Sequence, residues 1–292
     1  MPSRKPMLAM ILVGVAIAGG GAAAQDLAKK GEYLFHAAGC AGCHTDVATK
    51  GPLLAGGRAL KTPFGTFYSP NITSDRTHGI GTWTDADFVK AMKGGIDKGG
   101  RHLFPAFPFP SYAGMADDDA KAIKAYIFTL PAVAKPNRTH DVSPPFGWRI
   151  AAWGWQLLFF GGPAFPPAPV GASDEVKRGH YLANALGHCG ECHTPRNWFG
   201  ALDPSKHLGG NPTGPGGRIP NITPDKTGIA DASADDLITL LDSGMKPDGD
   251  VVGGEMYEVI QETTSKLTPE DRKALAAYLK AIPPVHMEPR KK

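Results

Sequence analysis

The chain has few cysteines, almost no net charge and no stretch that alternates like a strand. Its 292 residues include four cysteines, and its formal net charge is only +3. This balance offers no basic surface for nucleic acid, so we expect no nucleic-acid partner. The sequence also contains no Ser-His-Asp set, no glycine-rich phosphate loop and no metal motif outside the cysteines. The four cysteines are therefore the residues with recognisable chemistry.

The cysteines fall in two copies of one pattern, Cys-x-x-Cys-His, at residues 40–44 and 189–193. This spacing is the signature of c-type haem attachment. Two sulfurs about one helical turn apart can each bond one vinyl-derived carbon of the same porphyrin, and the adjacent histidine supplies the axial iron ligand. We therefore expect two covalently bound haems c. The predicted thioether residues are Cys40, Cys43, Cys189 and Cys192, and the predicted proximal ligands are His44 and His193.

Other uses of paired cysteines fit less well. A zinc ribbon places its two Cys-x-x-Cys units much closer together than they are in this chain. A thioredoxin-like redox pair needs a βαβ setting, which the sequence does not predict. Structural disulfides are an alternative for an exported chain. They would not account for the histidine that follows each pair.

Residues 1–24 have the pattern of a secretory signal. Arg4 and Lys5 form a charged start, residues 7–18 form an apolar run, and residues 22–24 form a small-residue cleavage site. An uncleaved membrane anchor is the alternative. The run is short for a bilayer-spanning helix, however, and it is followed by three glycines, which disfavour helix. We expect cleavage before Gln25 and a periplasmic location, where this kind of haem attachment takes place.

The sequence around the two haem motifs is also repeated. The Gly-x-Tyr-Leu sequence of residues 31–34 recurs at 179–182. Pro-Asn-Ile-Thr at 70–73 recurs at 220–223, where we expect a loop against the haem edge whose asparagine bonds the backbone. The repeat indicates one domain present twice.

Each copy continues with helices. Helices are predicted at 83–93 and 233–243, and an amphipathic helix closes each copy before Pro131 or Pro283. The sequence thus predicts an all-α fold of two tandem class I cytochrome c-like domains, each wrapped around one haem. The predicted boundaries are 25–135 for the first domain, 136–173 for a linker rich in proline and aromatic residues, and 174–292 for the second domain.

The linker contains an unusual apolar segment, residues 148–160. It holds three tryptophans, two leucines and two phenylalanines around a single arginine, and it is too short to span a membrane. Packing between the two haem domains is one interpretation. The other is an aromatic docking surface for a partner protein or for peripheral contact with the membrane.

The two copies differ in the residue available as the second axial ligand. Methionine is usual in electron-transfer cytochromes, and the second copy offers Met256. The same interval counted from His44 falls on Phe107, which cannot bind iron. For the first haem we favour Met115, which is also placed to act as a hydrophobic staple before a helix. The alternatives are His102, an iron without a protein ligand, and Met92, which fits better as a core residue.

On these residues, the chain resembles the cytochrome c subunit of bacterial membrane-associated alcohol, gluconate and fructose dehydrogenases. The most specific matches are Leu-Phe-Pro-Ala-Phe-Pro at 103–108 and Leu-Gly-His-Cys at 186–189. Carried over by position, Met256 completes the second haem site. Those subunits typically have three haem domains and a membrane-associating tail, so we expect this chain to be shortened by one haem domain. Family members often have methionine at the position of Phe107.

The resemblance implies an electron-transfer subunit and not an enzyme. Its donor would be a periplasmic dehydrogenase with flavin, pyrroloquinoline quinone or molybdopterin, and its acceptor a quinone, another cytochrome or an oxidase. The protein could be free in the periplasm or held at the membrane through a partner. The alternative is a dihaem enzyme of the peroxidase or thiosulfate-oxidising type, with an open first haem. That alternative depends on the phenylalanine at position 107.

Overall fold

The computed structural model describes residues 19–214 and 217–288. Residues 1–18 of the predicted signal lie outside this part of the chain, and its cleavage stays a prediction. The first helix, α1 (Gly19–Ala37), runs through the three glycines. Our expectation that these glycines end a helix is therefore wrong. Each glycine costs about 1 kcal/mol in a helix, and the alanines that follow, the strongest helix formers, favour helix in this stretch.

The first copy of the repeat consists of short helices beside a small sheet. After α1 come α2 (Cys40–His44), α3 (Asp85–Gly94), α4 (Phe109–Tyr112) and α5 (Asp117–Ile127). The antiparallel strands are β1 (Ala59–Thr62), β2 (Gly65–Tyr68) and β3 (Asp141–Val142), in that order. A separate helix, α6 (Arg149–Phe159), follows in the linker.

The second copy has the same order of elements. It begins with α7 (Asp174–His180), which continues into a π-helical turn (Tyr181–Leu186), and then α8 (Gly190–His193). The antiparallel strands β4 (Asn211–Gly214) and β5 (Gly217–Ile219) come next. The copy ends with α9 (Ala234–Ser243), α10 (Gly254–Glu262) and α11 (Pro269–Ala281). Single 3₁₀ turns lie at Val47–Thr49, Pro204–Lys206 and Thr264–Lys266.

The small sheets correct the all-α prediction, although the described chain is mostly helical. Strands of two to four residues are too short to show a period-two pattern in the sequence. Contacts distant in sequence hold them instead. At Gly65, φ is +130° and an added Cβ would lie 2.5 Å from the carbonyl oxygen of Asp141 in β3. Strand pairing here depends on that close approach, which the local sequence does not reveal.

Several helix starts follow the predicted signals. The Ser233 hydroxyl accepts a hydrogen bond from the Asp236 backbone N–H, and Asp236 accepts one from the Ser233 N–H, so a complete capping box begins α9. Thr84 caps α3 in the same way and sets its start at Asp85, two residues later than predicted. Thr268 caps α11 as expected.

Two glycines of the repeated Gly-x-Tyr-Leu sequence allow the long helices to cross. A Cβ at Gly31 in α1 would overlap the carbonyl oxygen of Ala122 in α5. A Cβ at Gly179 in α7 would overlap the carbonyl oxygen of Ala274 in α11 in the same way. The absence of a side chain at these two positions therefore sets the packing distance of the first and last helices of each copy.

The tyrosines of the same repeated sequence join the two copies. The Tyr33 hydroxyl donates to Asp271 in α11 at 2.5 Å, and Arg178 donates to the same carboxylate at 2.6 and 2.9 Å. In the other direction, Tyr181 donates to Asp119 in α5 at 2.6 Å, beside Lys30. One buried apolar cluster includes residues of both copies. The two copies thus contact each other in a nearly symmetric way.

Candidate haem-attachment sites

The first Cys-x-x-Cys-His sequence forms the single-turn helix α2. Gly39, immediately before it, has φ of +64°, a left-handed conformation that glycine adopts without strain. Cys40 is buried and Cys43 is partly buried. The Nδ1 atom of His44 lies 2.8 Å from the carbonyl oxygen of Pro70. The turn therefore presents two thiols and one oriented imidazole together.

The second sequence has the same geometry. His188 precedes it with φ of +40°, and α8 ends at His193. The Nδ1 atom of His193 lies 2.8 Å from the carbonyl oxygen of Pro220, the counterpart of Pro70. Cys189 is partly buried and Cys192 is exposed. The repeat is therefore a repeat of side-chain geometry as well as of sequence.

The hydrogen bond to proline assigns the chemistry of each imidazole. A carbonyl oxygen can only accept, so Nδ1 of His44 and of His193 carries the proton and Nε2 keeps its lone pair. A metal-ligating histidine usually donates its other ring N–H in this way. Burial lowers the pKa of both imidazoles, while the proline carbonyls partly oppose that shift. The residues present therefore fit an axial iron ligand in each motif.

The thiols do not form redox-active or structural disulfides. All four cysteines are free. Burial raises the pKa of Cys40 and of Cys189 to about 12, and that of Cys192 to about 11. A thiol-disulfide redox centre needs the opposite shift, because the thiolate is the reactive form. This structure thus favours haem attachment over the disulfide alternative.

Two buried asparagines hold the proline loops in place. The side-chain amide of Asn71 donates to the carbonyl oxygens of Val133 and Lys135, and its oxygen accepts from the backbone and hydroxyl of Thr73. Asn221 makes equivalent bonds to Val285 and Thr223. The expectation that these asparagines bond the backbone is confirmed. They lie directly after Pro70 and Pro220, whose carbonyls orient the two histidines.

We expect Asn71→Ala to lower the free energy of unfolding by about 2 kcal/mol, because buried donors and acceptors lose their partner. Guanidinium unfolding monitored by circular dichroism measures this loss. Asn197→Ala is the matched control, since Asn197 is exposed and bonds only its own loop. An equal effect of the two substitutions would contradict the structural role of Asn71.

The two motifs meet where each begins. A Cβ on Gly39 would lie 3.8 Å from Nε2 of His188, the residue at the corresponding position of the second motif. Tyr112 packs edge-on against His188, with ring centroids 5.5 Å apart, and donates a hydrogen bond of 2.7 Å to the carbonyl oxygen of Ala38. One aromatic pair thus fills the space between the two attachment turns.

Each motif also holds a segment from the opposite copy. Arg58 forms an ion pair with Glu258 in α10 and donates to the carbonyl oxygen of Gly42 in the first motif. Ser111 in α4 donates at 2.7 Å to Glu191 in the second motif. The segments that carry the candidate second ligands are therefore fixed partly by the other copy. Sequence reasoning missed these contacts because their partners are far apart in the chain.

The candidate second ligands lie in different surroundings. Met115 is fully buried in the core, and Met256 is partly buried on α10. Met115 stands just before α5, as Leu267 stands before α11, which agrees with its staple role as well. His102 is held by a 2.6 Å contact between its Nδ1 and the side-chain oxygen of Gln156. Met92 is buried in α3.

A buried polar network lies behind the second motif. His207 Nε2 is 2.8 Å from the side-chain oxygen of Asn184, whose amide donates to Tyr278 at 2.9 Å and to the backbone of His180. Burial lowers the pKa of His207 to about 4, so this ring is neutral. No sequence motif marks it, since its members come from three separate segments.

The chain matches the Cytochrome c family model over residues 28–131. It is 46% identical over 262 residues to a diheme cytochrome c-type protein of Cereibacter sphaeroides, covering 88% of this chain and 86% of that protein. It is 39% identical over 285 residues to the cytochrome c subunit of the quinone alcohol dehydrogenase of Gluconobacter oxydans, covering 93% of this chain and 59% of that subunit. It is 39% identical over 260 residues to the fructose dehydrogenase cytochrome subunit of Gluconobacter japonicus, covering 87% of this chain and 52% of that subunit. The chain thus spans little more than half the length of those two dehydrogenase subunits.

Proposed function

Because this chain belongs to the family of dihaem c-type cytochromes that includes dehydrogenase cytochrome c subunits, we propose that it passes electrons from a periplasmic dehydrogenase to a respiratory acceptor. The observation that carries the proposal is the pair of oriented histidines, His44 and His193, in two attachment turns that meet at Gly39 and His188. Two adjacent one-electron sites suit transfer, because a carrier must accept an electron at one place and release it at another.

The proposal includes two haems c and two domains. Cys40 and Cys43 would bond the first haem and Cys189 and Cys192 the second, in domains 25–135 and 174–292 that flank the linker 136–173. Four free cysteines and two turns of the same geometry support this count. Bound haem c would supply an iron that exchanges one electron at a time.

This chain's own residues fix the position and protonation of the ligands. The backbone carbonyls of Pro70 and Pro220 keep the Nδ1 proton of each histidine in place and raise the basicity of Nε2. Asn71 and Asn221 hold the loops that carry those carbonyls. The ring of Tyr112 and the imidazole of His188 exclude water between the two motifs. The protein thus supplies orientation and a dry surrounding.

The partners follow from the relatives. Those with printed dehydrogenase names serve alcohol, fructose, gluconate and nicotinate dehydrogenases. We propose a flavin, quinoprotein or molybdopterin dehydrogenase as donor, and a quinone, another cytochrome or an oxidase as acceptor, all reached from the periplasm. Among the described residues, no helix is long and apolar enough to cross a membrane.

Potentiometry with optical detection tests the function. We expect two one-electron transitions, low-spin haem in the resting protein, and no turnover with peroxide or thiosulfate. A high-spin first haem that turns over either compound would instead support the enzyme alternative, which the phenylalanine at position 107 allows. The buried side chain of Met115 argues for a closed first site.

We propose Met115 and Met256 as the second axial ligands, and each makes a separate prediction. Met115→Ala and Met256→Ala are each expected to remove half of the red charge-transfer band that methionine ligation gives to ferric haem c, because each thioether serves one iron. Optical spectra and low-temperature EPR of the purified ferric protein measure this. Met92→Leu is the matched control and should keep the whole band. An unchanged band in Met115→Ala would exclude Met115 and bring His102 forward.

A further inference from the structure

Helix α6 is apolar on two opposite faces. Ala152 and Gln156 are buried on one face, and Phe159 lies on the same side. A helix at a protein surface normally carries polar residues on its outer face, and a helix that is apolar all round is normally buried. This helix fits neither case, because only one of its apolar faces is covered in the described structure.

The covered face fixes α6 to both copies. Gln156 donates to the carbonyl oxygen of Gly95 at 2.8 Å, in the first copy. Trp155 donates at 2.9 Å from its indole nitrogen to the carbonyl oxygen of Phe199, in the second copy, and its ring packs edge-on against Phe109. Packing between the copies therefore explains this half of the segment. It also makes α6 a rigid part of the surface.

The outer face of α6 is formed by large apolar side chains in solvent. Ile150 is 64% exposed, Trp153 46%, Leu157 71% and Leu158 73%. Ile150, Trp153 and Leu157 follow the spacing of one helical stripe, and Leu158 lies beside it. We call these four residues the α6 outer face. Exposed apolar patches of this kind mark interaction sites on soluble proteins.

Further apolar side chains extend the patch. Trp148, at the start of α6, is 57% exposed. Phe199, 60% exposed, stacks on Phe159, and Trp198 beside it is 95% exposed. The second copy thus contributes to the same surface. An isolated exposed leucine would need no explanation, but a continuous group of this size does.

The polarity of the patch favours a bilayer as its occupant over a protein. Protein interfaces carry about one hydrogen bond per 100–200 Å². On the α6 outer face, the indole nitrogen of Trp153 is the only side-chain atom that can form one. Hydrocarbon needs no hydrogen-bonding partner, and tryptophan is the residue that suits the headgroup boundary.

The charges around the patch point to an anionic lipid surface. Between residues 143 and 172 the only charged side chain is Arg149. It donates to the carbonyl oxygen of His102, next to Arg101, whose side chain is 69% exposed and pairs with the largely buried Asp97. Basic residues beside exposed tryptophan and leucine are the pattern of an interfacial helix on anionic phospholipid.

We propose that α6 is a membrane-docking helix, which inserts its outer face into the headgroup region of the bilayer and binds without crossing it. This goes beyond electron transfer and does not depend on which dehydrogenase is the donor. Docking would place the second motif near the lipid, because Trp155, Phe159, Glu191 and Arg196 line one cavity of about 220 Å³. The second haem site would then face membrane-bound acceptors.

Vesicle binding of the intact holoprotein tests the proposal. We expect co-sedimentation with vesicles of phosphatidylethanolamine and phosphatidylglycerol, weakened at high salt. The double variant Trp153→Ser/Leu157→Ser should lose roughly tenfold or more in partition coefficient, because two large apolar side chains no longer insert. Trp155 is left unchanged, since it is part of the packing with Phe199. Unaltered haem spectra would show that the variant is folded, and the single variant Leu157→Ser repeats the test with a smaller change.

Val47→Ser/Val251→Ser is the matched control, because both valines are at least half exposed and lie outside α6. It should bind vesicles like the wild type. Absence of wild-type binding, or an equal loss in this control, would overturn the proposal. Self-association without lipid that is lost in the α6 variant would also overturn it, in favour of a second copy. The same would hold for a dehydrogenase that binds through these residues while vesicles do not.

Discussion

Replacing Cys189 and Cys192 with alanine is expected to yield a protein that keeps half of its covalent haem. Each motif supplies both sulfurs of its own haem, and the two motifs share no cysteine. The variant loses the covalent bonds of the second site, while the first keeps Cys40, Cys43 and the oriented imidazole of His44. The pyridine haemochrome absorbance per mole of protein, with haem staining of a denaturing gel, measures the loss.

The reciprocal variant Cys40→Ala/Cys43→Ala is the matched partner, and it should lose the other half. Both double variants should also be less stable than the wild type, because bound haem contributes apolar contacts to a small domain. A variant that keeps the full haem content, or one that loses all of it, would contradict two independent attachment sites. The spectrum of each single-haem protein would identify the methionine that serves the remaining iron.

The second large effect is expected at the helix crossings. Gly31→Ala should lower the free energy of unfolding by more than about 3 kcal/mol, at the upper end of what overpacking costs. The added methyl group would overlap a backbone carbonyl of α5, which cannot move aside as a flexible side chain can. Separating α1 from α5 would also disturb the bond from Tyr33 to Asp271. Guanidinium unfolding of the holoprotein measures the change.

Gly179→Ala should behave like Gly31→Ala, since it meets Ala274 in the same way. Gly154→Ala is the control. It lies in the interior of α6, and an added Cβ would meet no atom within 4 Å. That substitution should raise stability by about 0.5–1 kcal/mol through helix propensity. Equal effects at Gly31 and Gly154 would show that the crossing distance in the structure is wrong.

Local sequence rules were enough for the parts of the protein that depend on neighbours in the chain. Cys-x-x-Cys-His specifies its own turn, and Ser233 with Asp236 specifies a helix start, because the interacting groups are within one helical turn of each other. The repetition of those signals also indicated two copies. The comparisons confirmed the resemblance to dehydrogenase cytochrome c subunits.

Local rules were not enough where one short segment serves two roles. Residues 148–160 had two interpretations from sequence, packing or docking, because an apolar residue looks the same whether it is covered or exposed. In the structure, Trp155 is bonded to the second copy while Trp153 and Leu157 face solvent. The short strands were missed for a related reason, since their pairing depends on β3, far along the chain.

The sequence by itself determined the chemistry of this protein: which cysteines and histidines can attach haem, and that the arrangement occurs twice. Only the tertiary structure decided how the two arrangements relate. Gly39 meets His188, Tyr33 reaches Asp271, and Arg58 reaches Glu258, all between residues far apart in the chain. The physical reason is that covalent attachment needs residues within one turn, whereas contact between two copies depends on helix crossings and burial that no local pattern encodes.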